Sequence, residues 1–373
     1  MFHPPNTVRI DLSSLAFNLS QVKRLIGPDI KIMGIVKSDA YGHGLIEVSR
    51  TLVKNGVYSL GTAFIHEALE LRKNGIKVPV VILCGIKSPE EAEAVVENDL
   101  TPVIFDLSSA SLLAVAAEKR SKKINVQIKI DTGMGRLGAP HQEVAPFLKE
   151  IKKLAGINIE GLISHLSSGD EEDSGFTDSQ IGKFRNAVDA ARATGMDLRF
   201  NNLANSAGVM AHKGSYFDMV RPGIMLYGGL PSPGFKPPLD LKPVMSFSGR
   251  IIQIRDMPDK TPLSYGRRYY TDGIKKIAVV SAGYGDGITR GLTNRGKVII
   301  RGQKAGMVGT VCMNLTLCDI TAVKDAAPGD EAVFLGRLGK EIITGDNIAS
   351  WSDTISYEIF LSIGRGVKKE FFG

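Results

Sequence analysis

Cysteine is scarce in this chain. Its 373 residues include three, Cys84, Cys312 and Cys318, an odd number with no CxxC pair. That excludes a disulfide or zinc framework, leaves no metal expected, and fits a reducing compartment. Long apolar runs are missing as well: none approaches the ~20 residues needed to span a bilayer. The opening MFHPPNTVRIDLSSL has no basic segment followed by an apolar one. The chain is therefore expected to be soluble, cytoplasmic and without membrane contact. A net charge of +7 raises the question of nucleic acid. The basic runs, such as Lys119-Arg120-Ser121-Lys122-Lys123, carry no interleaved aromatics and read as solvated helix ends, so no nucleic-acid partner is expected. A modest positive field suits small anions instead.

One further absence bears on the fold. The first strand-like run, IKIMGIVK, leads into SDAYGHG, where an open dinucleotide-binding sheet would carry a fingerprint such as GxGxxG. Seven similar runs come after it: YSLGTA, PVVILCG, LTPVIFD, INVQIKIDTG, IEGLISHL, LRFNNLAN and FDMV. Between them lie segments such as LIEVSRTLVKNG and SPEEAEAVVEND, with apolar residues at i, i+3, i+4 spacing and Asn or Gly at their ends. Eight alternating units predict an α/β fold, an N-terminal (β/α)8 TIM-type barrel over residues 1–232. The Pro-rich PSPGFKPPLDLKP then reads as a linker. Beyond it, short runs such as KKIAVVSAGYG, GKVIIRG and DEAVFLG, separated by turn signals, predict a second, mostly β domain over 233–373.

A barrel of this kind does its chemistry at the C-terminal ends of its strands. Strand one ends on Lys37, and strand five runs into DTGMGRLG with Arg136. Strand six ends on Ser164-His165, strand seven runs from Asn202 to Asn205-Ser206, and strand eight leads into Arg221-Pro222-Gly223-Ile224. Cations and polar groups thus gather on one rim. Arg221-Pro222-Gly223 before IMLYG reads as a loop opening a short helix. There, free amides of Gly223 and Ile224, with the Ser206 hydroxyl, would hold a phosphate. On strand five, Val126, Ile128 and Ile130 share one face while Gln127, Lys129 and Asp131 face the barrel interior. An inward lysine needs a partner or a change of charge. A rim lysine, a phosphate cradle and arginines between them suggest pyridoxal 5'-phosphate, whose aldehyde condenses with a lysine amine.

With the rim assembled, a family resemblance becomes specific. VKSDAYGHG, KIDTGMGRLG, ISHLSS, NLANSAG, VRPGIMLYG, LSYGRRY, GYGDG, VGTVCMN and ISYE resemble, in the same order, the sequence blocks of the bacterial, pyridoxal-phosphate-dependent alanine racemases. The resemblance spans nearly the whole chain. It implies a homodimer in which the β domain of one subunit completes the site of the other. It implies that Lys37 carries the cofactor and is one base, and that Tyr265, reaching in from the partner, is the second. It implies that Tyr41, Ser206, Gly223, Ile224 and Tyr357 hold the phosphate, and that Arg136 and the backbone at Met313 meet the substrate carboxylate. His165 would link Tyr265 to Arg221, Asn205 would sit near the ring or Arg136, and Lys129 would be carbamylated, as the matching lysine is in many members. Arg221, a donor only, would leave the pyridine nitrogen unprotonated and favour reprotonation at Cα over transamination. The implied product is D-alanine for peptidoglycan. Racemisation of serine or another small amino acid is the alternative, because pocket size is not readable from the sequence. Three departures stand out: Ser38 where alanine is more usual, Asn314 where many members have aspartate, and the tail GRGVKKEF.

Overall fold

The computed structural model describes residues 5–373. The strands Ser59–Thr62, Val80–Ile82 and Thr101–Ile104 are buried along their whole length. Such runs suit a parallel sheet covered on its outer face by helices and filled on its inner face by side chains. They lie in parallel register with Lys31–Ile35 on one side and Ile124–Asp131 on the other. Ile157–Ile163 comes next, paired with Ile124–Asp131. The expected seventh strand shrinks to single bridges from Asn202 to Ile163 and to Met219. The eighth is only Met219–Val220, and it pairs in parallel with Lys31–Ile32. The barrel is therefore closed, with its weakest seam at strand seven. The connecting helices start where the sequence supplies caps. Ser88 Oγ accepts from the Glu91 amide with Pro89 in the first turn, and Asp106 accepts from the Ser109 amide.

The second unit is a nine-stranded, mostly antiparallel sheet. Its longest strand, Met245–Met257, runs against Lys275–Val280 and Glu331–Leu338. The strand Thr7–Asp11 belongs to this sheet too: it pairs with Met245–Met257 and, in parallel, with Lys369–Phe372. It precedes the barrel rather than opening it. The helix Leu12–Ile26 then returns the chain to the barrel, capped by Asp11. On that helix the fully buried Asn18 ties the two units together. Its amide donates to Leu226 O (3.0 Å) and Lys242 O (2.8 Å) and accepts from the Lys242 amide. The segment that reads as a linker is thus pinned at its end. Two short helices, Gly345–Ser352 and Ser356–Ser362, bring the end of the chain back to the barrel rim. Among the described residues no helix is long and apolar enough to cross a membrane.

Candidate active site

The first barrel strand stops at Ile35, and the chain then enters a left-handed turn. Ser38, Asp39, Ala40 and Tyr41 have φ of 55°, 54°, 53° and 55°. Such residues cost about 1–2 kcal/mol each, so the surroundings must hold them. The buried Glu67 carboxylate accepts from the amides of Ser38 and Ala63. Asp39 accepts from Leu45 N at 2.7 Å and pairs with Lys369 at 2.9 Å. Gly42 closes the turn against the carbonyl of Phe360, which a Cβ there would meet at 2.3 Å. Beneath it the buried His43 packs on Tyr227 and Phe360. Tyr227 in turn donates to Ile35 O at 2.8 Å. Lys37 is the first residue of this turn and points into a cavity of about 380 Å³ at the strand ends.

That cavity gathers all but two of the residues singled out from the sequence. Lys37, Tyr41, Lys129, Arg136, His165, Asn205, Ser206, Arg221, Gly223, Ile224 and Tyr357 line it. Arg136 projects from a loop held by Asp131, whose carboxylate accepts from the amides of Gly133 and Gly135. Asn205 caps the helix Ser206–Ala211 by accepting from Gly208 N. Ser206 Oγ accepts from Gly223 N at 2.9 Å. The amide of Gly223 is therefore not free, as the sequence suggested. The nearby hydroxyl claims it, and the Ser206 hydrogen becomes the group that can face a ligand. Gly223 is small for a reason: a Cβ there would lie 2.5 Å from Tyr41 Oη. Burial raises the phenols of Tyr41 and Tyr357, so both stay protonated as donors.

The electrostatics of the cavity are one-sided. Burial, then Arg136, lowers the Lys37 amine. Burial, then Arg221 and Arg136, pushes Lys129 well below its usual value, and the same burial with Lys129 and Arg221 suppresses charge on His165. Arg221 is buried and lowered to about 9, still protonated at neutral pH. Its Nη groups donate to the carbonyls of Asn202, Ser164 and Leu203 and to Asn202 Oδ1, and Nη2 lies 3.3 Å from His165 Nδ1. Its Nε–H has no partner among the described residues. No acidic residue lines the cavity. The donor set fits pyridoxal phosphate: hydroxyls, with Tyr41 brought close by the absence of a side chain at Gly223, for the phosphate, a guanidinium N–H for the ring nitrogen, and an amine for the aldehyde. Cys84, at the end of strand three, also lines the cavity. Sequence reading passed over it, and its place at a strand end was the available signal.

Tyr265 and Met313 are the two that stand apart. Tyr265 opens a 3-10 turn, Tyr265–Arg267, in the second unit, between the paired strands Pro262–Leu263 and Tyr269–Tyr270. Its side chain is 74% exposed and that of Met313 57%. The backbone there is firmly held. Thr310 Oγ1 donates to Tyr265 O (2.7 Å), Ser264 Oγ donates to Thr310 O (2.6 Å), and Gly285 N donates to Met313 O (2.7 Å). LSYGRRY, GYGDG and VGTVCMN are thus brought together, outside the barrel cavity of their own chain.

Comparison with known proteins agrees with this architecture. Residues 10–231 match the family model "Alanine racemase, N-terminal domain" and residues 244–371 match "Alanine racemase, C-terminal domain". The chain is 42% identical over 364 residues to an alanine racemase of Syntrophobacter fumaroxidans, covering 98% of this chain and 96% of that one. Its fold superposes on an alanine racemase of Clostridium difficile 630 with a TM-score of 0.91 at 34% identity, covering 100% and 97% of the two chains. It also resembles the alanine racemase of Bartonella henselae solved with covalently bound pyridoxal phosphate, with a TM-score of 0.88 at 27% identity, covering 99% and 100%. With both halves matched and the barrel-plus-sheet fold shared, the chain belongs to the alanine racemase family of isomerases.

Proposed function

We propose that this racemase is a cytoplasmic homodimer that interconverts L- and D-alanine with pyridoxal 5'-phosphate bound covalently at Lys37, supplying D-alanine for peptidoglycan. The observation that carries the reading is a single acid-free cavity in which Lys37, two arginines and the Tyr41 hydroxyl, seated close on Gly223, meet. When bound, the cofactor supplies an electron-withdrawing ring that acidifies the substrate Cα–H. The Lys37 amine, its proton affinity lowered by burial and Arg136, takes or returns that proton on one face. The Tyr265 hydroxyl of the partner subunit does so on the other, which its exposure in its own chain leaves it free to do. Arg221 directs Nε–H at the ring nitrogen and, through His165, reaches toward the second base. Arg136 and the Met313 backbone receive the carboxylate. Tyr41, Ser206, Gly223, Ile224 and Tyr357 hold the phosphate, with Asn205 beside them.

Lys129 is read as carbamylated. Its amine is buried between Arg221 and Arg136, which outweigh the nearby Asp131, and no carboxylate lines the cavity. The amine, already disposed to give up its extra proton, adds carbon dioxide as the neutral group and releases one further proton, so that an unfavourable cation is replaced by the missing anion. The division of labour falls near the linker: residues 1–232 bind the cofactor, joined by Tyr357 of the same chain, and the rest of 233–373 completes the site of the partner.

Racemisation is tested by incubating the protein separately with L-alanine, L-serine and L-lysine and following chirality. Turnover of alanine is expected, no turnover of any substrate sinks the reading, and a preference for serine replaces it with the alternative. The shared site is tested by mixing Lys37→Ala and Tyr265→Phe subunits. Each variant alone falls at least about a hundredfold below wild type, and random mixing restores about a quarter of wild-type activity if sites are built from two chains, and none if they are not.

A further inference from the structure

Gln127 lies two residues before Lys129 on the inward face of strand five, one layer deeper in the barrel. Its side chain is buried, as are those of Glu160 on strand six and Asn202 at the seventh position. Together with Arg221 they form one continuous run of hydrogen bonds. Gln127 Nε2 donates to Glu160 Oε1 (2.9 Å), and Asn202 Nδ2 donates to Gln127 Oε1 (3.0 Å). Arg221 Nη1 donates to Asn202 Oδ1 and to Asn202 O, the latter at 2.9 Å.

This run has a direction on which both ends agree: Glu160 only accepts, Arg221 only donates, and Asn202 Nδ2 is held besides by Phe200 O at 2.7 Å and Leu162 O at 3.4 Å. An amide has a donating and an accepting end, whereas a carboxylate only accepts. Glu160 therefore draws the NH2 of Gln127 toward itself. The Gln127 oxygen is left facing Asn202 and draws in its NH2, so the Asn202 oxygen faces the guanidinium. Turning either amide round sets donor against donor in a buried place, which leaves polar groups unsatisfied. The same run answers a question of charge. The partners of the Arg221 Nη groups are carbonyls, an amide and an imidazole, all neutral. A buried cation needs an anion, and beside the carbamate proposed at Lys129, Glu160 is the carboxylate to which this relay connects it. Arg199, also near Glu160, is largely exposed and already faces Asp197 at 3.5 Å.

We propose that Glu160 is a positioning residue for racemisation: its carboxylate orients Gln127 so that the Gln127 oxygen joins the backbone carbonyls in holding Asn202, which engages Arg221 Nη1 and leaves Nε–H turned to the ring nitrogen of the cofactor. This rests on the proposed function, in which Arg221 faces that nitrogen. Glu160 itself does not line the cavity.

The test titrates the holoenzymes of Glu160→Gln, of the swapped pair Glu160→Gln/Gln127→Glu, and of Arg221→Lys with pH, following the visible absorption of the bound cofactor. Kinetics with L-alanine and melting temperature are recorded beside it. Glu160→Gln is expected to move the midpoint of the absorption change in the same direction as Arg221→Lys. It is also expected to lower kcat about tenfold with KM little changed, as loss of a preorganised dipole does. The swap restores an accept-only group to the relay and is expected to return both readouts toward wild type. A moved midpoint in Arg221→Lys beside an unmoved one in Glu160→Gln overturns the relay and leaves the Arg221 reading standing. Unmoved midpoints in both overturn the Arg221 reading, and the relay with it. A swap that fails to restore the midpoint overturns the argument from direction. Should Glu160→Gln not fold, Gln127→Leu cuts the same relay and is read by the same criteria.

Discussion

The two proposed proton carriers live in opposite surroundings. Lys37 stands at the end of a parallel strand, in a turn clamped by Glu67, Asp39 and Gly42, with its amine inside the cavity at the strand ends. Tyr265 stands on a short turn above a small cluster of Met257, Leu263, Ile277 and Val308, separate from the main core, with its ring in solvent. Both backbones are firmly held, but only one side chain is enclosed. A barrel rim presents groups to one side of a flat ligand. The other side has to be supplied by a surface group that is already rigid before it docks.

Replacing each base should break the comparison in a different way. Lys37→Ala is expected to abolish both racemisation, by roughly 10⁴ or more, and the coloured covalent complex, the scale on which loss of a nucleophile acts. Retention of the colour would overturn the cofactor assignment. Tyr265→Phe is expected to cost about 10²–10³ in rate, as loss of a general acid–base does, with the visible band intact. Because the ring is exposed, its stability is expected to stay within about 0.5 kcal/mol of wild type in urea unfolding. Unchanged rates in both directions would remove it from the mechanism.

The next contrast concerns stability alone. Burial holds the His43 imidazole, beneath the Lys37 turn, down to about 4, against about 6.5 in an unfolded chain. The unfolded state takes up the proton first as pH falls, so stability is full above about 6.5 and is lost toward 4. Between pH 7 and pH 5 the loss is about 2 kcal/mol. His43→Phe, which keeps the ring packing, should flatten that slope, and an unchanged slope would clear His43. The smallest expected effect is at the phosphate cradle. Gly223→Ala is expected to weaken cofactor binding about tenfold by displacing Tyr41, without touching either base. Wild-type affinity, measured by fluorescence of the apoprotein, would show that the close seat of Tyr41 on Gly223 is not used.

Much of this was legible in the sequence, and the limits have physical reasons. Strand ends carry their signal locally, so Lys37, Arg136, His165 and Arg221 could be placed on one rim by counting strands. Sheet partnership is not local. Nothing in TVRID says that Thr7–Asp11 pairs with residues near 247 and 370 rather than with the barrel. Strand parity turned Gln127 inward, but its meeting with Glu160 depends on a register shift between Val126 and Gln127. The left-handed turn was hidden as well: serine and aspartate tolerate that conformation, alanine and tyrosine do not, and only tertiary contacts hold them there.

That turn also has a bearing on the life history of the chain. Its mirror-handed backbone gains nothing from the local winding that starts ordinary helices. It closes only when Glu67 arrives from the next βα unit and the carbonyl of Phe360 from the far end of the chain. A nascent or half-assembled barrel therefore owns the lysine without its posture. Maturation and reactivity coincide, and an unfinished chain is expected to be chemically silent toward the aldehyde that the finished one captures.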